Sequence, residues 1–156
     1  MKEHKIFKPD IVFQKFIRSC WSQNIRTLED KIPINTFLKE RGIFALDIDP
    51  DPKQEVYAFG LPVNKSWEAS SFSKDSQLFF KVYSETVMSI SVIFQNAKSE
   101  NSETTNIVVD KDNLEVWKEF RIPVLNPEDV RLVLFSGAAT TPNYVIRNIV
   151  IETDEI

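Results

Sequence analysis

The chain has 156 residues, of which 42% are hydrophobic and 27% are charged, and its formal net charge is −4. A chain of this length and balance builds one globular domain, and its composition excludes a disordered, collagenous or membrane-spanning polypeptide. With three glycines, one histidine (His4) and one cysteine (Cys20), it lacks the parts for a glycine-rich phosphate loop, a catalytic triad, a zinc site or a disulfide. The scarcity of reactive side chains predicts a binding protein.

The charge is unevenly spread along the chain. Residues 1–42 contain nine basic and five acidic residues, whereas residues 43–156 contain ten basic and eighteen acidic ones. The acidic whole offers no footprint for nucleic acid, and the basic segment is expected to be a solvated face, with a docking surface for an acidic partner as the alternative. Neither a secretory signal nor a run of about 18 apolar residues occurs. We expect either a complete cytoplasmic protein or one domain of a larger, exported polypeptide.

The first predicted element is an amphipathic helix over residues 10–25. Its apolar positions form two lines with i+4 spacing: Val12, Phe16 and Cys20, then Phe13, Ile17 and Trp21. An edge strand followed by a loop is the alternative for a run so rich in Phe and Ile. Residues 33–42 are typical of a short helical turn ended by glycine. Residues 1–42 are therefore predicted to be a helical docking extension, with His4 in a mobile tail.

From residue 43 onward the apolar period changes to two, which indicates strands. The predicted strands are residues 43–49, 78–83, 88–95, 106–110, 116–123, 130–136 and 144–152. Polar turns separate them, and the longest, residues 96–105, is expected to join two paired strands. Short alternating strands of this kind predict a mainly β fold, an antiparallel β-sandwich or jelly roll, over residues 43–156.

Three acids alternate at the end of the first predicted strand, namely Asp47, Asp49 and Asp51. Oxygen ligands at this spacing are able to bind calcium. An EF-hand would need glycine and glutamate where Pro52 and Ala58 stand. The acids are therefore expected to face solvent, and no metal site or other cofactor is predicted from them.

Four stretches carry a resemblance to a known family: residues 75–84, 88–94, 115–124 and 145–151. The first is like a Leu-x-Phe-x-Val-x-Ser strand and the third is like a Trp-x-x-Phe-x-Ile-Pro-Leu strand. In order and spacing they resemble the carbohydrate-binding-module type of β-jelly roll, in the galactose-binding-like group, over roughly residues 43–152. The resemblance implies a non-catalytic, sugar-binding β-sandwich. Arg147 stands where many members have an Asp associated with structural calcium, so calcium is not carried over.

The resemblance implies a sugar groove on the outward positions of the central strands, because the groove of such modules is often a concave sheet. Sugar recognition combines aromatic plates with planar polar groups. The candidate ligand-binding residues are Lys81, Tyr83, Gln95, Trp117, Glu119 and Arg121, with Tyr57 and Trp67 as loop-borne aromatics beside the groove. In the alternative interpretation the aromatics cover the core, and Lys81 and Arg121 form cross-strand ion pairs with Glu119.

The predicted function is a non-catalytic carbohydrate-binding module that recognises a glycan on a sheet face and serves an appended or partner enzyme. The alternative is a structural or protein-interaction β-sandwich, which docks on a partner or a neighbouring domain through residues 1–42. A hydrolase remains as the enzyme alternative, because a glycosidase needs only two suitably spaced carboxylates.

Overall fold

The computed structural model describes residues 2–7, 21–24, 46–64 and 66–154. Within these ranges the chain forms two antiparallel sheets of five strands each. A single 3-10 turn at Lys111–Asn113 is the only helical element in the described part, which contains no helix long and apolar enough to cross a membrane. The predicted antiparallel β-sandwich is confirmed.

In chain order the described strands are β1 (Lys2–Phe7), β2 (Trp21–Gln23), β3 (Leu46–Ile48), β4 (Val56–Pro62), β5 (Gln77–Tyr83), β6 (Met88–Gln95), β7 (Thr105–Val109), β8 (Lys118–Pro123), β9 (Leu132–Ala138) and β10 (Tyr144–Thr153). Seven of these ten described strands, β3 and β5 to β10, follow the alternating segments predicted from the sequence. The polar segment 96–105 joins β6 to β7, which pair directly, as predicted.

The first sheet has the strand order β1-β10-β5-β8, and the second has the order β2-β4-β9-β6-β7. β10, with ten residues, is the central strand of the first sheet and pairs along one edge with β5, at residues 145–147 and 150–152. The other edge of β10 is shared between β3, at residues 144–146, and β1, at residues 149–153. The first sheet therefore has β8 as one edge and the tandem of β3 and β1 as the other.

The core lies between the two sheets and is built by the side chains that alternate inward. On β5, Leu78, Phe80 and Val82 are fully buried, whereas the residues between them are partly exposed on the opposite side. The ring of Phe80 meets the edge of Phe135 in the second sheet at 5.5 Å between centroids, and Phe135 stacks on Phe59 at 4.9 Å. Aromatic packing therefore joins the two sheets, and the partly exposed side chains of β5 point away from this core.

The N-terminal predictions need correction where the structure describes them. The predicted helix over residues 10–25 is wrong at Trp21–Gln23, which is a strand paired with β4, so the edge-strand alternative holds there. The mobile tail is also wrong: His4 lies in β1, its ring packs edge-on against Phe72 at 5.1 Å, and its Nε2 lies within hydrogen-bond distance of the Val63 carbonyl oxygen. Main-chain pairing outweighs helical spacing at Trp21–Gln23 and orders the segment that contains His4.

The remainder of the N-terminal predictions lies outside the described residues. This applies to most of the helix over residues 10–25 and to the turn at residues 33–42. The division at residue 42 stays a prediction, although β1 and β2 each add a strand to one of the two sheets.

Strand β4 was not predicted from the sequence. Tyr57 and residues 59–62 are buried and Ala58 is half-buried, so β4, which lies between β2 and β9, lacks a regular alternation. The strand also contains Gly60 and Pro62, two residue types that are depleted in strands. Tyr57 consequently lies in a strand and not in a loop.

Candidate functional site

The outward side chains of four neighbouring strands form one face of the first sheet, called the outer face below. Strand register arranges them in rows that cross the strands, since residues directly opposite each other lie on the same side of a sheet. The first row is Trp117, Tyr83, Val145 and Asp47; the second row is Glu119, Lys81 and Arg147; the third row is Arg121, Phe79 and Val150.

Two aromatic rings dominate the first row. The ring of Trp117, the residue just before β8, lies 5.6 Å from the ring of Tyr83 at an angle of 53°. Both rings are partly exposed and pack on Val145, which is only 5% exposed. Val145 belongs to a cluster separate from the main core, so the outer face has its own apolar floor.

Arg147 extends from the second row toward the first. Its guanidinium carbon lies 5.7 Å from the centroid of the Trp117 ring, a cation–π arrangement. Burial lowers the pKa of Arg147, but an arginine keeps its charge at neutral pH. The indole is thus held between Tyr83 and a cation, which fixes its orientation.

A β-bulge in β10 lies next to Arg147. The register between β10 and β5 shifts between Arg147 and Val150, and Asn148 has φ of 53°, a left-handed conformation that asparagine tolerates. The Nε of Arg147 donates to Oδ1 of Asn148 at 3.5 Å. Because a bulge bends the strand and redirects its side chains, it helps to set where Arg147 points.

Ion pairs organise the second and third rows. Glu119 contacts Lys81 at 3.6 Å and Arg121 at 4.0 Å. The Nε of Arg121 also donates to Oε1 of Glu152 at 2.9 Å. The cross-strand pair with Glu119 expected as an alternative is therefore present for Lys81, whereas Arg121 contacts Glu119 within the same strand, β8. They are partly exposed, so each contributes at most about 1 kcal/mol to stability, and their main effect is to position the polar groups.

Phe79 is a third ring on the outer face. The guanidinium carbon of Arg121 lies 4.6 Å from its centroid. Phe79 and Tyr83 alternate outward on the same strand with Lys81 between them, so the aromatic and charged positions are interleaved. Phe79 is not among the candidate residues chosen from the sequence, although its position two residues from Lys81 on the same strand was the available signal.

The structure brings five of the eight predicted site residues together on the outer face: Lys81, Tyr83, Trp117, Glu119 and Arg121. Gln95 lies on the second sheet, where its Nε2 donates to Asn101 and its Oε1 accepts from Arg131. Trp67 lies in the loop between β4 and β5 with φ of 65°. Gln95 is therefore on the opposite sheet, and Trp67 lies outside the strands that form the outer face.

Tyr57 is placed inside the core. It is 1% exposed, and its hydroxyl lies 2.6 Å from the hydroxyl of Tyr144. Burial raises the pKa of Tyr57 to about 12. Its contacts are therefore with the other sheet and not with the outer face.

Two of the three alternating acids, Asp47 and Asp51, accept different hydrogen bonds. Oδ1 of Asp47 accepts a hydrogen bond from Asn143 at 2.6 Å, and Oδ1 of Asp51 accepts one from the main-chain N–H of Lys53 at 3.1 Å, which forms an Asx turn. Among the residues that the structure describes, no three His, Cys, Asp or Glu side chains are grouped to hold a metal ion.

Sequence comparison gives no match, either to a protein-family model or to a curated protein. Structure comparison does. The family 30 carbohydrate-binding module of the cellulosomal cellulase Cel9D-Cel44B of Clostridium thermocellum matches with a TM-score of 0.71 and 17% identity, over 100% of both chains. The chain has the jelly-roll fold of carbohydrate-binding modules.

Two further matches extend this likeness. A variant of a family 29 carbohydrate-binding module, solved to probe the mechanism of ligand recognition, has a TM-score of 0.63 and 15% identity, over 98% of this chain and 92% of that one. An exo-β-agarase has a TM-score of 0.62 and 11% identity, over 98% of this chain but 25% of its own. The jelly-roll fold thus occurs both as a separate module and as part of a larger enzyme.

Proposed function

We propose that this protein is a non-catalytic carbohydrate-binding module whose glycan ligand lies on the outer face of the first sheet. The observation that carries the proposal is the pair of partly exposed rings, Trp117 and Tyr83, fixed beside a row of ion-paired polar groups on one sheet. The fold shared with carbohydrate-binding modules supports the same function.

The aromatic rings suit the apolar faces of sugar rings. A pyranose presents C–H groups on a face that packs against an aromatic plate, and burying that contact removes apolar area from water. Trp117 and Tyr83 are inclined by 53°, so together they make an angled surface and not one flat plate. Tyr83 adds a hydroxyl that is able to bind a sugar hydroxyl at the edge of the plate.

The charged row supplies directional hydrogen bonds. Glu119 offers acceptors and Lys81 offers donors, and their contact with each other holds both in place before a ligand arrives. Such preorganisation reduces the ordering cost of binding. A sugar chain over the aromatic row would place its hydroxyl groups next to these side chains.

The same contacts favour binding without turnover. A glycosidase needs one protonated carboxyl and a second carboxylate on opposite sides of the scissile bond. Glu119 and Glu152 both contact Arg121, so the guanidinium lies between these two carboxylates, where a scissile bond would have to lie. The module is proposed to serve an appended or partner enzyme, as the cellulase and agarase matches suggest.

Affinity gel electrophoresis tests this function. Wild-type protein is run through gels that contain hydroxyethyl cellulose, agarose, glucomannan or xylan, beside Trp117→Ala, Tyr83→Ala and the control Val108→Ala, which changes an exposed residue on the second sheet. We expect wild type and Val108→Ala to be retarded by at least one polysaccharide, and both aromatic variants to migrate as in the empty gel. Undiminished retardation of both aromatic variants would place the ligand elsewhere.

A further inference from the structure

Asp47 lies at the far end of the first row, three strands away from Trp117. Register pairs Asp47 with Val145 and Val145 with Tyr83, so the three side chains stand in line. Asp47 is half-buried between two fully buried neighbours on β3, and alternation directs it outward. Adjacent strands are about 4.8 Å apart, which places the main chain of Asp47 roughly 10 Å from that of Tyr83.

Asn143 holds the Asp47 carboxylate in position. Its Nδ2 donates to Oδ1 of Asp47 at 2.6 Å and to the carbonyl oxygen of Ile48 at 2.7 Å. The amide group has two N–H bonds, and both are used. Since an ionised carboxylate has about four acceptor positions, Asn143 fixes the group and leaves acceptor capacity for a ligand.

The surroundings make this carboxylate costly to keep charged. Burial raises the pKa of Asp47, the hydrogen bond from Asn143 lowers it, and the nearby charge of Asp49 raises it. Titratable groups that burial and a charged neighbour perturb in this way are common at functional sites. The position at the end of the row, and not the titration, determines which ligand atoms it would meet.

We propose that Asp47, positioned by Asn143, is a further ligand-binding residue, and that its carboxylate accepts hydrogen bonds from the hydroxyl groups of a sugar unit beyond Tyr83. The inference rests on the proposed function, because the ligand must first lie on the first row. It also gives the ligand a direction. The bound glycan crosses the strands from Trp117 to Asp47, over roughly 14 Å or three strand spacings.

Affinity measurements with the polysaccharide that retards the wild type test this residue. Asp47→Asn keeps the size of the side chain but removes its charge, and the loss of a charged hydrogen bond should weaken binding about tenfold at pH 7. The matched control is Asp49→Asn, which changes the neighbouring acid and should bind as the wild type does. Wild-type affinity in Asp47→Asn overturns the inference.

The pH dependence of binding gives a second readout. Besides Asp49, whose charge raises the pKa of Asp47, the charged or titratable groups on the neighbouring strands of the outer face are Arg147 on β10 and Lys81 and Tyr83 on β5. Wild-type affinity should fall as the pH is lowered, and Asp47→Asn should lack the part of this fall that protonation of Asp47 causes. Asn143→Ala should move the fall to higher pH, because the lost hydrogen bond favours the charged carboxylate.

The outcomes separate the two proposals. If no polysaccharide retards the wild type, the proposed function is wrong. Binding that Trp117→Ala abolishes, while Asp47→Asn leaves it unchanged, defeats only the assignment of Asp47. If Asp47→Asn does not fold, as circular dichroism would reveal, the profile of Asn143→Ala decides, and an unshifted fall overturns the assignment.

Discussion

The hydroxyls of Tyr57 and Tyr144 lie 2.6 Å apart in the core and join the two sheets. Tyr57 belongs to β4 of the second sheet and Tyr144 to β10 of the first. Both side chains are at most 2% exposed, so each hydroxyl satisfies the other where water has little access. This contact fixes the start of β10, from which the outer face extends through Val145 and Arg147.

Removing one hydroxyl of this pair should destabilise the protein. Tyr57→Phe leaves the Tyr144 hydroxyl buried without its partner, which costs about 1–3 kcal/mol. The double variant Tyr57→Phe/Tyr144→Phe should lose less than the sum of the two single variants, because it removes both polar groups. Urea unfolding of the four proteins measures this coupling, and strictly additive losses would show that the hydroxyls do not interact.

Alkaline pH should weaken the fold through the same pair. Burial raises the pKa of Tyr57 from its usual 10 to about 12 and raises that of Tyr144 well above 10. Since both folded-state pKa values are raised, their contribution is fully present below pH 10 and is lost as pH rises toward 12, by about 1.4 kcal/mol per pH unit for each group. Urea midpoints at pH 8, 10 and 11 should fall less in the double phenylalanine variant. Equal falls would contradict this assignment.

The ring of Tyr57 lies so close to position 137 that only glycine should fit there without strain. A Cβ at Gly137 would lie 3.0 Å from Cε1 of Tyr57, and the hydrogen bond to Tyr144 prevents that ring from moving away. Gly137→Ala should therefore cost about 1–3 kcal/mol through overpacking. Gly60→Ala is the comparison, since its Cβ would meet the terminal methyl groups of Leu134 at 2.7 Å and Leu132 at 3.1 Å. These flexible side chains shift more easily than a hydrogen-bonded ring, so Gly60→Ala should cost less. A larger loss in Gly60→Ala than in Gly137→Ala would contradict this explanation.

Glu119 should matter more for binding than for stability. Glu119→Gln weakens the contacts to Lys81 and Arg121, but these are partly exposed, so the free energy of unfolding should change by less than about 1 kcal/mol. Glycan affinity should fall severalfold because Lys81 loses its orientation. Calorimetric titration and urea unfolding check the two effects, with the exposed Glu128→Gln as control. A large stability loss with unchanged affinity would reverse the assigned role.

Alternation in the sequence predicted which side chains of β5 point outward, because a period of two leaves a strand with only one way to bury its apolar set. The ion pair between Lys81 and Glu119, which the alternative interpretation of these side chains anticipated, is present. The same pattern could not assign Gln95, since alternation does not reveal which sheet a strand joins. β6 pairs with β9, and Gln95 therefore lies on the second sheet.

Long-range pairing explains the remaining differences from the sequence-based prediction. Tyr57 is buried because of a partner 87 residues further along the chain, which no local pattern contains. The strand at Trp21–Gln23 forms by pairing with β4, although helical spacing was the stronger local signal. The place of Asp47 on the outer face follows from its register with Val145, which the local sequence pattern does not contain.

The most direct test of the account is the affinity of wild type and Trp117→Ala for the same polysaccharide, measured side by side by calorimetry. Trp117 is partly exposed and stands outside the main core, so both proteins should fold. The account predicts that the wild type binds and that Trp117→Ala binds at least about thirtyfold more weakly, the loss typical of a central aromatic contact. Equal affinities in two folded proteins would contradict the placement of the glycan on this face.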